Sequence, residues 1–75
     1  MSKLKKISGK ECIKALSKMG FQIIRQKGSH VILAKETPEG RVGTVVPLHK
    51  ELKIGTLKGI LEQAKVDEQE FVKYL

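Results

Sequence analysis

The chain has 75 residues, 40% of them apolar and 4% aromatic, and its 15 Lys and Arg outnumber 8 Asp and Glu for a net charge of +7. That length supports one small core and excludes a second, so a single domain over residues 1–75 is expected. A sequence pI near 9.8 points to a polyanionic partner, nucleic acid first. Trp is absent and Tyr74 is the only Tyr, which speaks against an aromatic platform for stacking bases. Cys12 stands alone and His30 and His49 are the only histidines, so no disulfide framework, metal site or cofactor is expected. The basic start Met1-Ser2-Lys3-Leu4-Lys5-Lys6 leads into no apolar run. The expectation is a cytoplasmic protein with neither a signal peptide nor a membrane span.

Ser8 followed three residues later by Glu11 is a capping box and places a helix start at Gly9. Cys12, Ile13, Leu16 and Met19 recur at helical spacing and form its apolar face, and Gly20 stands where a glycine ends such a helix. Lys10, Lys14 and Lys18 line another face, a row that suits either a phosphate backbone or plain solvent. Residues 21–27, 30–36 and 41–46 read as three strands, with Thr37-Pro38-Glu39-Gly40 a turn and Pro47 the end of the third. Leu57, Ile60, Leu61 and Ala64 mark the buried stripe of a second helix that opens near Gly55-Thr56, with Thr56 its ordinary cap. Gly59 weakens that helix by up to about 1 kcal/mol unless close packing needs the missing side chain. Asp67 with Glu70 reads as a second capping box, opening a short last helix that presents Phe71, Val72 and Leu75. The fold expected is α+β, in the order αβββα. A three-stranded antiparallel meander is covered on one face by helices, because a bare sheet of this size would not hold.

The stretch Lys27-Gly28-Ser29-His30 organises the rest. Gly-Ser between two strand-like runs is the sequence of a type II′ hairpin, Gly28 supplying the positive φ. His30 is then the first residue out of the turn, held on a stiff strand pair with Arg25, Gln26, Lys27 and Lys35 nearby. Histidine changes charge near neutral pH. Fixed among cations, it is placed to move protons on an RNA phosphodiester, which carries its own nucleophile in the 2′-hydroxyl. A hairpin histidine with no role fits the same spacing. His49, in the loop after the third strand, is a second proton-transfer group, a phosphate donor, or neither. Gly55-Thr56, beside Lys50, Lys53 and Lys58, opens a helix whose free N–H groups suit a phosphate. Cys12 lies on the apolar stripe and reads as core.

Taken together, these pieces resemble the HicA toxins, small RNA-cleaving partners of HicB antitoxins. The resemblance runs over residues 7–75. It is carried by Gly20-Phe21, Gly28-Ser29-His30, Val46-Pro47-Leu48-His49, and Gly55-Thr56-Leu57 followed by Ile60-Leu61. The Gly-Ser-His hairpin and the Gly-Thr-Leu helix start are specific as a pair. The resemblance implies a fold like a double-stranded-RNA-binding domain, metal-independent cleavage of mRNA with His30 as the essential residue, and a HicB-type antitoxin covering the site. Lys27, Arg25 and Lys53 are the residues expected to hold the phosphate, with Gly28 and Ser29 in positioning roles. One departure is visible: where many members carry an aromatic or polar residue soon after the histidine, this chain has Val31-Ile32-Leu33. Two other readings stand beside the nuclease. A non-catalytic RNA-binding module of the same fold predicts salt-sensitive binding and no special effect at His30, although the second helix opens with Gly55-Thr56-Leu57 rather than the lysine-rich start such modules use. A protein-interaction adaptor for an acidic partner predicts no affinity for RNA.

Overall fold

The computed structural model describes residues 4–75; residues 1–3, where the basic N-terminal run begins, lie outside the described residues. The element order is α1 (Gly9–Lys18), β1 (Gln22–Lys27), β2 (His30–Thr37), β3 (Gly40–Pro47), α2 (Ile54–Gln63) and α3 (Glu68–Val72). The strands form one antiparallel sheet in the order β1-β2-β3. The expected αβββα arrangement with a short extra helix is therefore what the chain adopts, with boundaries shifted by a residue or so.

Local chemistry explains the helix ends. At α1 the Ser8 N–H donates to Glu11 Oε1 at 2.9 Å and the Glu11 N–H donates to Ser8 Oγ at 3.0 Å, so two otherwise orphaned donors are satisfied reciprocally. At the other end Gly20 takes φ 101°, and the N–H groups of Gly20 and Phe21 donate back to Ser17 and Leu16. This is a Schellman turn, and it turns Phe21 into the core against Leu16. The same turn closes α2, but there Lys65 rather than glycine occupies the left-handed position, at φ 56°. The cap of α2 differs from expectation. Lys53 is the N-cap, with no side-chain hydrogen bond, and Thr56 lies inside the first turn. At α3 only half of the expected box forms: Asp67 accepts from the Glu70 N–H, while the Glu70 carboxylate pairs with Lys73 at 3.1 Å. No atom stands where a Cβ on Gly59 would reach, so packing does not require that glycine.

Alternation along the strands divides the sheet into two faces. Val31 and Leu33 of β2, with Thr44 and Val46 of β3, turn inward onto Leu16, Leu57, Leu61 and Phe71, and all are buried. The Thr44 hydroxyl, the one buried polar group among these, lies 3.1 Å from the Ile60 carbonyl oxygen and 2.9 Å from the Gln63 amide, which ties β3 to α2. Cys12 is fully buried on the apolar side of α1, as its spacing implied, and burial pushes its thiol up to about 12. Leu75, by contrast, stays 44% exposed. Both α1 and α2 lean on β3, so β1 at the far edge is exposed along its whole length. A bulge between Ile23 and Arg25 interrupts the β1–β2 register. No helix among the described residues is long and apolar enough to cross a membrane.

Two stability predictions follow from the caps. A side chain in the left-handed region costs about 1–2 kcal/mol, partly offset by the larger unfolded entropy of glycine. Lys65→Gly is therefore expected to raise the unfolding free energy by about 1 kcal/mol, read from the urea midpoint; an unchanged or lower midpoint contradicts the strain. The Glu11 carboxyl is held below its ordinary 4.5 chiefly by its hydrogen bonds with Ser8, backbone first and hydroxyl second. A lowered folded value means stability present above about pH 4.5 and lost as pH falls through the folded value. The deficit of Glu11→Ala against the parent should therefore be constant at neutral pH and shrink in acid, and a deficit that grows in acid would refute this.

Candidate functional site

The β1–β2 turn is closed by Lys27 and His30, which face each other across the strands. Gly28 has φ 60° and Ser29 does not have a positive φ, the pattern of a type II′ turn and the one Gly-Ser implied. On its other side His30 faces Pro47, the last residue of β3. The imidazole thus stands on the central strand, exposed, between an exposed lysine and a half-buried proline ring. Residues paired in this way keep their Cα atoms about 4.5–5.5 Å apart, so a phosphate touching one can touch the other.

Backbone hydrogen bonds fix this end of the molecule. The Leu48 N–H donates to the Ser29 carbonyl at 2.7 Å, the Gly9 N–H donates to the His49 carbonyl at 2.9 Å, and the Leu52 N–H donates to the Ile7 carbonyl at 2.6 Å. Turn, post-β3 loop and helix start are therefore locked to one another. Gly9 is buried, and a Cβ there would run into the Pro47 carbonyl oxygen and Leu48. Only glycine lets α1 begin so close to the loop that carries His49. Spacing gave no hint of this role, because a glycine after a capping serine is common and its neighbour lies 38 positions on at Pro47.

The expected site residues fall into two groups. Lys27, Gly28, Ser29 and His30 form the turn, and the clamp brings the His49 backbone to the same end. Arg25 pairs with Ile32 and lies one step along the same face as Lys27, about 6.6 Å away. Lys53 is the N-cap of α2, with no side-chain capping hydrogen bond, and follows Leu52, whose N–H donates to the Ile7 carbonyl. Lys35 stands apart from His30. It turns to the inner face, where its Nζ donates to the Met19 carbonyl at 2.8 Å and lies 5.8 Å from the centre of the Phe21 ring. Neither imidazole is hydrogen-bonded to another described residue. Among the described residues no three His, Cys, Asp or Glu side chains gather as a metal ion would require.

The family model for the HicA toxin of bacterial toxin-antitoxin matches residues 9–66. The chain belongs to the HicA toxin family. Membership implies a toxin–antitoxin pairing, and the matched span runs from the first residue of α1 to the turn after α2, taking in the whole clamp between Gly9, Ser29 and Leu48. A comparison with curated proteins finds no match. In this HicA family member α3 lies outside the matched residues, yet it contributes the fully buried Phe71 to the core.

If Gly9 sets the loop against the turn, Gly9→Ala must displace backbone rather than a flexible side chain. Overpacking of this kind costs about 1–3 kcal/mol. The variant is expected to unfold at lower urea concentration, and hydrogen exchange at Leu48 and His49 should accelerate beyond the global change. A Gly9→Ala protein as stable as the parent would remove glycine from the clamp.

Proposed function

We propose that this chain is an endoribonuclease toxin that cleaves mRNA without a metal ion, using His30 for proton transfer, and that a HicB-type antitoxin of complementary acidity neutralises it in the cytoplasm. The observation that carries the reading is the placement of His30: exposed, on the central strand, opposite Lys27, in a turn pinned through Ser29 to Leu48. Loops that carry function work when a rigid scaffold positions them, and this turn is held from both sides.

The chemistry needs few parts. His30 accepts the proton of the RNA 2′-hydroxyl, the 2′-oxygen attacks the adjacent phosphorus, and the 5′-oxygen of the next nucleotide leaves with a proton. The products are a 2′,3′-cyclic phosphate and a 5′-hydroxyl. Lys27 and Arg25 neutralise charge that builds on the non-bridging oxygens. A second group must deliver the leaving-group proton, and His49, whose backbone is tied to Gly9, is the candidate. Lys53, at the N-cap of α2, is the third cation proposed to hold the phosphate.

His30→Ala is expected to abolish toxicity on induction in a host cell, while circular dichroism and RNA binding stay close to those of the parent. Lys27→Ala should weaken RNA binding and reduce the slope of log K against log salt by about 0.7, the value for one single-strand phosphate contact. Full toxicity in His30→Ala refutes the assignment. Salt-sensitive binding by a parent that cuts nothing establishes the non-catalytic RNA-binding module instead.

A further inference from the structure

The middle of the outward face of the sheet is apolar, where a solvated antiparallel sheet carries polar residues. Beyond His30 the outward positions of β2 are Ile32, Ala34 and Glu36, paired across to Val45, Gly43 and Arg41 of β3. The bulge in β1 brings Ile24 to the same side, where it lines a shallow depression with Ile32, Ala34 and Val45. Ile24 is 49% and Val45 37% exposed, and Gln63 of α2 borders the depression on the β3 side. The depression is open to solvent, with a volume of about 390 Å³. Its floor is low because Gly43 and Ala34 stand side by side.

This floor is continuous with the site. His30, Ile32 and Ala34 follow one another on one strand face, about 6.6 Å apart at each step. Arg25 borders Ile32 on the β1 side and Arg41 lines the far end, where it pairs with Glu36 at 3.7 Å. Glu36 is the one acid among these outward positions. A bare apolar strip edged by cations suits a ligand with flat apolar faces on an anionic backbone. We propose that single-stranded RNA runs along this sheet face from His30 towards Arg41. The bases of the nucleotides beside the scissile phosphate seat on Ile24, Ile32 and Val45, while Arg25 and Lys27 follow the phosphates. The inference rests on the ribonuclease reading and adds to it the path of the substrate. The lysine row of α1, on the helical side, then lies off the path. An aliphatic floor discriminates bases by contact area rather than by a hydrogen-bond code, so sequence preference from this strip is weak.

The test uses the full chain carrying His30→Ala, so that bound RNA stays intact, and a short fluorescein-labelled single-stranded RNA read by anisotropy. Ile32→Thr/Val45→Thr keeps charge and strand preference while making the floor polar. Val45→Thr alone, at an exposed position, covers the case in which the double variant folds poorly. The double variant is expected to weaken binding about tenfold and the single one about threefold, from the apolar contact area each removes. Lys14→Ala/Lys18→Ala, which removes no phosphate contact on this path, should stay within about twofold. Weakening by the lysine pair with unchanged affinity in both sheet variants puts RNA on the helical side and overturns the proposal. Sheet variants that keep RNA affinity but lose the antitoxin assign the face to a protein partner and overturn it as well. Cleavage by proteins with intact His30 is followed alongside. A parent that binds along the sheet but cuts nothing defeats the ribonuclease reading and leaves the path standing.

Discussion

The hydrogen bond from the Leu48 N–H to the Ser29 carbonyl, at 2.7 Å, is the contact on which the candidate site depends. A two-residue hairpin alone is marginal in water, and its tip would fray. Here the tip is anchored to the loop that follows β3, and that loop is anchored in turn to the first residue of α1 through His49 and Gly9. Both bonds are backbone to backbone, so side-chain changes on the surface leave them in place. The result is a histidine on a β-strand whose position is fixed by three separate segments of the chain.

A small protein reaches this arrangement with a simple division of labour. One face of the sheet makes the core, with Val31, Leu33 and Val46 packed under two helices and Phe71 of the third. The other face is left free, and Arg25, Lys27 and His30 share the end where the chain's loops converge. Stability and function therefore occupy alternate residues of the same strands. Val31 and Leu33 hold the fold, while His30 and Ile32 between them face outward. An insertion of one residue in β2 would exchange the two sets, which explains why an imidazole on a strand is held more firmly than one on a loop.

Much of the fold was legible in the residues. Ser8 with Glu11, Gly20, Gly28-Ser29 and the Leu57, Ile60, Leu61, Ala64 stripe each state a local conformation, and the structure adopts each. What sequence reasoning missed was non-local. Nothing near Gly9 announces that Pro47 will lie against it. Lys35 shares a strand with His30, but five residues of alternation send it to the opposite face and the Met19 carbonyl. The bulge at Ile23 and Arg25 inverts the alternation of β1, so consecutive isoleucines could not be assigned to faces. Thr56 looked like a cap because threonine often is one, yet the helix begins earlier, at Ile54. At the candidate site the hairpin and its pairing of Lys27 with His30 were readable; the outer apolar floor was not, since it needs two strands in register.

The measurement that bears most directly on the account is cleavage of a labelled single-stranded RNA by the purified protein in EDTA, beside His30→Ala, with the product ends identified. The account predicts cleavage by the parent alone, leaving 2′,3′-cyclic phosphate and 5′-hydroxyl ends. Cleavage that persists in His30→Ala, or that appears only when a divalent metal is supplied, would contradict it.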